Sequence, residues 1–199
     1  MKPVQSNELL IVTNGGGAGV LAVDDLMRLG GKLAPVDKSL VVELDNVLPA
    51  NWSRANPINI IGDATPERYR ATLYAVLADC KADGILVINC PTALASSTDA
   101  AQAVLDAVAQ ASKSRKLPPI LTNWLGEEEA AGGRRKFHEE NIRYAEREGL
   151  RELVGDVLES NTRMLDMCRT LGFEIARDPE DQSICKVRLT LPTHLQDVA

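Results

Sequence analysis

Apolar and polar positions along this chain follow two rhythms. Glu8 to Thr13 and Gly84 to Asn89 are almost unbroken apolar runs, the pattern of strands buried on both faces of a parallel sheet. Pro119 to Trp124 reads as a further strand, and Lys32–Val36 and Ile58–Ile61 as shorter ones. Between them the spacing turns helical. Residues from about Gly17 to Leu29 carry Val20, Leu21, Val23, Leu26, Met27 and Leu29, with Asp24, Asp25 and Arg28 largely on the other face, and Gly30-Gly31 ends the helix. A short helix is predicted over Ser39–Leu48, ended by Pro49. Thr65 followed by Pro66 opens another, running to about Asp79 with Tyr69, Leu73, Val76 and Leu77. An alanine-rich helix follows over Ser97–Ala111, capped by Ser96 or Ser97. Strands alternating with helices in this order predict an α/β fold, a doubly wound parallel sheet.

Beyond Glu127 the texture changes. Glu127 to Tyr144 is highly charged and contains Gly132-Gly133, a poor helix interior. A helix to about Glu148, a strand over Leu150–Leu158 and a helix from Ser160 or Asn161 to Gly172 are expected. Strands at Phe173–Ala176 and Ile184–Leu191 then flank the turn Asp178-Pro179-Glu180-Asp181. This tail is small for an independent domain.

In doubly wound sheets, ligands sit beyond the carboxyl ends of the strands. Four polar turns fall there: Asn14–Gly19, Asn59–Thr65, Cys90–Thr92 and Trp124–Gly126. The first is the most informative. Asn14-Gly15-Gly16-Gly17-Ala18-Gly19 joins a buried strand to a helix, so backbone amides and the positive helix end converge on one small volume. That is a site for an anion, most naturally a phosphate. No Gly-Lys-Ser/Thr follows, so it is not a Walker A loop, and Val20 fails the last position of the dinucleotide fingerprint. The alternative is a glycine turn kept for packing alone. Asp63 after Gly62 reads equally as a ligand contact or as a cap of the next turn.

Composition narrows the classes. The chain has 199 residues and a net charge of −6, which argues against a nucleic-acid binder. No apolar run reaches the ~20 residues of a membrane span. Met1-Lys2 with no apolar stretch behind it is not a signal peptide. Cys80, Cys90, Cys168 and Cys185 are scattered without a Cys-x-x-Cys, so free buried thiols in a cytoplasmic protein are expected rather than a metal site. His138 in the charged helix reads as a solvated histidine, and Trp52 and Trp124 as covers of the core rim.

Particular residues go beyond pattern. Ile11-Val-Thr-Asn-Gly-Gly-Gly-Ala-Gly-Val-Leu-Ala-Val-Asp24 closely resembles the second flavodoxin-like domain of NDP-forming acyl-CoA synthetases, the succinyl-CoA synthetase superfamily. Asn56-Pro-Ile-Asn-Ile-Ile-Gly-Asp-Ala-Thr-Pro-Glu-Arg-Tyr69, Cys90-Pro-Thr-Ala93, Trp124-Leu-Gly126 and the Gly-Arg-Arg-Lys-Phe run at 133–137 resemble the same domain. The resemblance covers roughly residues 7–140. It implies a succinyl-CoA synthetase-like domain that helps hold a phosphorylated histidine while an acid is joined to CoA. Asn14, Gly15, Gly16, Gly17, Ala18 and Gly19 would then line the phosphate site, with Asn59 and Asp63 near it.

Residues 141–192 resemble something else. Arg151-Glu-Leu-Val-Gly-Asp-Val-Leu-Glu-Ser-Asn161, Met164-Leu165 and Leu171-Gly-Phe173 look like the C-terminal part of a GNAT acetyltransferase, a domain that bacterial protein lysine acetyltransferases join to the synthetase-like module. That resemblance implies CoA or acetyl-CoA as ligand, with Asn161 on the CoA side and Cys168 where many members place a tyrosine. The mobile histidine motif, the ATP-grasp domain, the N-terminal CoA-binding domain and the GNAT pyrophosphate loop are not in these residues. The chain is thus expected to be a partial ligase/acetyltransferase-like protein that binds a phosphate or CoA-related ligand without autonomous turnover. A phosphohistidine- or ATP-grasp-bearing domain of another chain would be its partner, and a nucleotide would come only through such domains. Two alternatives stand beside it: a GNAT-type acyltransferase using acetyl-CoA, and a non-catalytic regulatory or assembly module, a homo-oligomer included.

Overall fold

The computed structural model describes residues 7–78 and 80–192. They form two compact units, one up to Lys136 and one from Phe137 onward. No helix among the described residues is long and apolar enough to cross a membrane.

The first unit holds β1 (Glu8–Thr13), α1 (Gly16–Arg28), β2 (Lys32–Leu33), α2 (Lys38–Asp45), β3 (Ile58–Asn59), α3 (Pro66–Ala78), β4 (Gly84–Asn89), α4 (Ser97–Ser112) and β5 (Ile120–Trp124). The sheet is wholly parallel in the order β2-β1-β4-β5. The edge of β1 away from β4 is shared: β2 pairs with Glu8 and Leu9, and β3 with Val12 and Thr13. The chain therefore winds to one side of β1 and then to the other. The crevice at the carboxyl ends of β1 and β4 is the topological switch point.

Helices lie on both faces of the sheet, although at β5 Leu121 stays exposed on the α1 face. Asn89 and Trp124 are register partners and face α3 and α4, because Asn89 meets the Tyr69 hydroxyl and Ser97. Thr13 and Ile88 are partners on the other face, where Thr13 lies against Gly19 of α1. Tyr69, Leu73, Val76 and Leu77 form the buried stripe of α3 at helical spacing. Ala100, Ala103, Val104 and Ala107 form that of α4, and their small side chains let the two helices pack closely. Trp52 and Trp124 are buried, and their indole N–H groups donate to Asp45 (2.7 Å) and to the Ser97 carbonyl (2.8 Å).

Several boundaries depart from expectation for physical reasons. β2 is only two residues long, because the Asn56 side chain takes over the edge of β1 beyond it. Asn56 Oδ1 accepts from Ile11 N–H (3.0 Å), and its Nδ2 donates to the carbonyls of Leu9 (2.8 Å) and Ala34 (2.9 Å). The predicted end of α3 at Asp79 lies outside the described residues. In α1 the apolar residues do not form one buried stripe: Gly19 alone is buried, while Leu21 is 69% and Leu29 75% exposed. The charged stretch after Trp124 is a single 20-residue helix, α5 (Glu128–Arg147), that runs straight through Gly132-Gly133. A Cβ on Gly133 would lie 2.6 Å from the Trp124 ring, and one on Gly132 would lie 2.3 Å from Thr98 Oγ1. These glycines are kept for close approach, and they break nothing.

The second unit begins within α5 and contains β6 (Glu152–Leu158), α6 (Thr162–Thr170), β7 (Glu174–Arg177) and β8 (Ile184–Thr190). Its sheet is antiparallel in the order β6-β8-β7. Leu165, Cys168, Cys185 and Val187 form its core, joined by Val157, Met164, Phe173 and Ile175. Of the cysteine thiols, Cys168 and Cys185 are buried, and Cys80 and Cys90 are partly so.

Candidate functional site

The glycine turn is built by the end of β1. Thr13 folds its hydroxyl back onto the turn, accepting from Gly15 N–H (3.0 Å) and donating to the Gly15 carbonyl (3.1 Å). Gly15 is the N-cap of α1 and has no side chain to accept from the helix. The first rung of the helical ladder is Gly19 N–H to the Gly15 carbonyl (3.0 Å). The N–H groups of Gly16, Gly17 and Ala18 therefore stand ahead of the ladder with no protein acceptor among the described residues. They carry the positive end of a 13-residue helix.

The glycines divide by role. A Cβ on Gly15 would sit 2.3 Å from Cys90 Sγ, and one on Gly19 2.9 Å from Thr13 Cγ2, so these two are packing glycines. Gly16 and Gly17 are exposed. A Cβ on Gly17 meets nothing within 4 Å, and one on Gly16 meets only Asn59 Nδ2, at 3.1 Å. The turn thus combines closely packed glycines, Gly15 and Gly19, with open ones, Gly16 and Gly17.

Asn14 lies in the turn, and its side-chain amide is engaged by Cys90. Buried at 5% exposure, it donates from Nδ2 to the Cys90 carbonyl (2.8 Å) and accepts at Oδ1 from Cys90 N–H (2.7 Å). It is a clamp that holds the end of β4 against the end of β1. Burial pushes the Cys90 thiol above its ordinary pKa, which keeps it a neutral packing group.

Asn59 is positioned by Ser53, whose hydroxyl accepts from Asn59 N–H (3.0 Å). Its Oδ1 accepts from Ile61 N–H (3.0 Å), which leaves Nδ2 as the end beside Gly16. Ile61 adopts φ +69°, a conformation that β-branched residues rarely take. This bend brings the segment back so that Gly62 lies against the Asn14 carbonyl. The Asp63 carboxylate is paired with the Arg68 guanidinium, which also donates to the Ile60 carbonyl (3.1 Å). That pairing holds the Asp63 carboxyl below the usual carboxylate range. The ion pair ties Asp63 to the start of α3. Thr65 Oγ1 accepts from Arg68 N–H (3.3 Å) as the cap of that helix.

Two residues that the sequence offered only as members of longer matching runs have structural roles. Asn56 has been described. Arg134 gathers the strand-end turn after β5 by donating to the carbonyls of Trp124 (3.0 Å), Gly126 (2.6 Å) and Glu127 (2.8 Å). Asn161 belongs to the second unit, where its Oδ1 accepts from Met164 N–H (3.2 Å) as the N-cap of α6.

Chemically, the turn offers three convergent backbone donors and one side-chain amide, with no acid and no nucleophile among them. That donor set fits a phosphoryl group and does not by itself perform bond chemistry.

Comparison with known proteins agrees with this geometry. The Ligase-CoA domain model matches residues 9–144. Over 64 residues, 32% of this chain and 9% of the relative, the sequence is 48% identical to acetate–CoA ligase [ADP-forming] of Methanocaldococcus jannaschii. Over 124 residues, 61% of this chain and 26% of the relative, it is 32% identical to the alpha subunit of acetate–CoA ligase [ADP-forming] II of Pyrococcus furiosus. Among solved structures, dinucleotide-forming acetyl-coenzyme A synthetase 1 of Ca. Korarchaeum cryptofilum, in complex with phosphate and ADP, superposes with a TM-score of 0.62 at 30% identity. The match covers 70% of this chain and 29% of that one. The chain spans between 9% and 27% of the length of these and the other curated relatives it matches. The family match ends at Tyr144, so β6 to β8 lie outside it. With a strand, a glycine turn and a helix N-terminus at the switch point of a parallel sheet, and with the family model matched over 9–144, the chain belongs to the Ligase-CoA domain family, the flavodoxin-like domain of acyl-CoA ligases of the NDP-forming type.

Proposed function

We propose that this chain is a phosphate-handling part of an NDP-forming acyl-CoA ligase, in which the glycine turn receives a phosphoryl group presented by a histidine of a partner domain. One observation carries the reading: α1 starts behind a glycine N-cap, and the N–H groups of Gly16, Gly17 and Ala18 have no protein acceptor among the described residues. A phosphate oxygen placed there accepts from these amides while the helix end favours its negative charge. Asn59 Nδ2 adds a side-chain donor beside Gly16. The other residues keep this geometry. Gly15 and Gly19 allow the close approach of Cys90 and Thr13, Asn14 fixes the neighbouring strand end, and the Asp63–Arg68 pair braces the loop that carries Asn59.

The phosphoryl donor is outside this machinery. The turn contains no histidine, and His138 belongs to the second unit. Nucleotide and CoA would be bound by other parts of the ligase. The function of this chain is then to stabilise the phosphorylated intermediate, and not to turn over alone. Titration with inorganic phosphate, ADP, CoA and acetyl-CoA by calorimetry tests the reading. Phosphate heat without turnover is the expected result. Phosphate binding that is absent at millimolar concentration, or acyl-CoA formation by the isolated chain, overturns it.

The GNAT-like reading of residues 141–192 has one local support. β6 ends at Leu158, and Asn161 caps α6 directly after it, the strand–Asn–helix arrangement which that resemblance implies beside a CoA ligand. On this second reading acetyl-CoA would produce binding heat that Asn161→Ala removes, with phosphate binding unchanged.

A further inference from the structure

β6 is a seven-residue strand with hydrogen-bonded neighbours on one side only. Which of its backbone groups are open follows from the register. Leu191 N–H donates to the Arg151 carbonyl (2.9 Å), and Glu159 N–H to the Ser183 carbonyl (2.8 Å). Antiparallel ladders alternate bonded and non-bonded pairs, so Leu153, Gly155 and Val157 are the residues bonded to β8. The N–H and C=O groups of Glu152, Val154 and Asp156 therefore point away from the sheet, as does Leu158 N–H, and no protein partner meets them among the described residues. Leu158 presents its carbonyl to Asn161 N–H (2.9 Å). Several usual protections of an edge strand are missing: β6 has no proline, no lysine and no bulge, all seven residues pair in step with β8, and its only charges are Glu152 and Asp156. Val154 is 65% and Leu158 59% exposed on the face away from α6.

We infer that β6 is a self-pairing edge, joining two copies of this chain in antiparallel register about a two-fold axis at Gly155. The occupant follows from the side chains. Pairing must use the even-numbered residues, whose backbone groups are open. With the axis at Val154, Glu152 would face Asp156 of the second copy. With the axis at Asp156, that aspartate would face itself. Both set like charges directly opposite. With the axis at Gly155, Glu152 faces Leu158 and Val154 faces Asp156, so no like charges oppose, and every open group on the edge lies within the paired stretch. Asp156 and Glu152 are already neutralised within one copy by Lys186 (4.0 Å) and Arg188 (3.5 Å). On the α6 side, Leu153 comes opposite Val157 of the second copy in a non-bonded pair, where side chains lie closest. Those two residues, with Met164, Cys168 and Phe173, line an open groove of about 550 Å³. The second copy thus extends a core that is small for a unit of this size.

Sedimentation equilibrium of the full chain up to about 300 µM is the test, since an edge-to-edge contact sits at the weak end of interface sizes. The expected mass at the top of the range is twice 21.5 kDa. Val154→Pro removes an outward donor and no bond to β8, so it should give a monomer. Because Val154→Pro could also unfold β6, an exposed pair decides independently. Val154→Glu, facing Asp156 twice across the axis, should weaken the dimer about tenfold, and Val154→Lys should tighten it. Gly155→Cys has room, its Cβ lying 3.5 Å from Val187, and should cross-link the copies on a non-reducing gel faster than the wild-type cysteines do. A monomer throughout the range overturns the inference, as does a dimer indifferent to both Val154 charges. Faster pairing with a strand of another protein than with itself would also overturn it.

Discussion

Replacing Gly17 by Asp separates stability from binding at the glycine turn. Gly17 is exposed, is the second residue of α1, and has open space where a Cβ would go, so the substitution disturbs no packing. A carboxylate in the first turn of a helix gains about 0.3–1 kcal/mol from the macrodipole. Removing a helical glycine adds up to about 0.5–1 kcal/mol by restricting the unfolded chain. The variant should therefore be more stable, with a melting temperature higher by about 2–5 °C for a unit of this size. The same carboxylate occupies the space of the anion. At about 4 Å, two unit charges repel by about 1–4 kcal/mol for effective dielectrics between those of water and a protein surface. Phosphate affinity should fall about 5- to 1000-fold. Gly17→Ala is the control: it adds bulk without charge, keeps the N–H, and should retain binding with a smaller gain in stability. Differential scanning calorimetry and phosphate titration on the three proteins read both quantities. If Gly17→Asp lowers the melting temperature, or binds phosphate as tightly as Gly17→Ala, the amides of Gly16, Gly17 and Ala18 are not open and the anion site is wrong.

Three further substitutions probe the surroundings. Asn14→Ala leaves the partly buried Cys90 N–H and carbonyl without their side-chain partner and should cost about 1–3 kcal/mol in urea unfolding; a loss under about 0.5 kcal/mol would mean that the clamp is dispensable. Gly133→Ala drives a methyl against Trp124 at 2.6 Å, so despite a better helix propensity it should destabilise by about 1–3 kcal/mol, whereas a neutral result would show that α5 can shift. Arg68 holds the Asp63 carboxyl below its unfolded value, so the contribution of this group to stability is full above about pH 4 and is lost as pH falls through the lower folded value. Asp63→Asn should flatten the acid limb of the stability–pH curve, and an unchanged limb would refute the pairing.

Much of this architecture was legible in the residues. The apolar runs of β1 and β4, the Thr65-Pro66 helix start and the Ser96 cap are local signals, and each element lies where they point. What was not legible depends on distant partners. The clamp made by Asn14 is invisible until Cys90, 76 residues away, is seen to take both ends of its amide. Gly132-Gly133 reads as a helix breaker until Trp124 and Thr98 are seen to need the space. The glycines of the turn read as one motif, although Gly15 and Gly19 are closely packed and Gly16 and Gly17 face open space. The apolar residues of α1 suggest a single buried face, and nothing in their spacing separates the covered ones from Leu21 and Leu29.

The Asn56 amide has a consequence for how the sheet opens. It binds the backbone of both β1 and the segment after β2, yet it belongs to the long loop that precedes β3. Protection of the Ile11 amide from exchange with solvent deuterium is therefore set by a loop 45 residues away and not by a neighbouring strand. When that loop lifts, the middle of β1 loses its shield while β4 still holds the other edge, so Ile11 should exchange with the kinetics of the loop and Leu10 with those of the sheet.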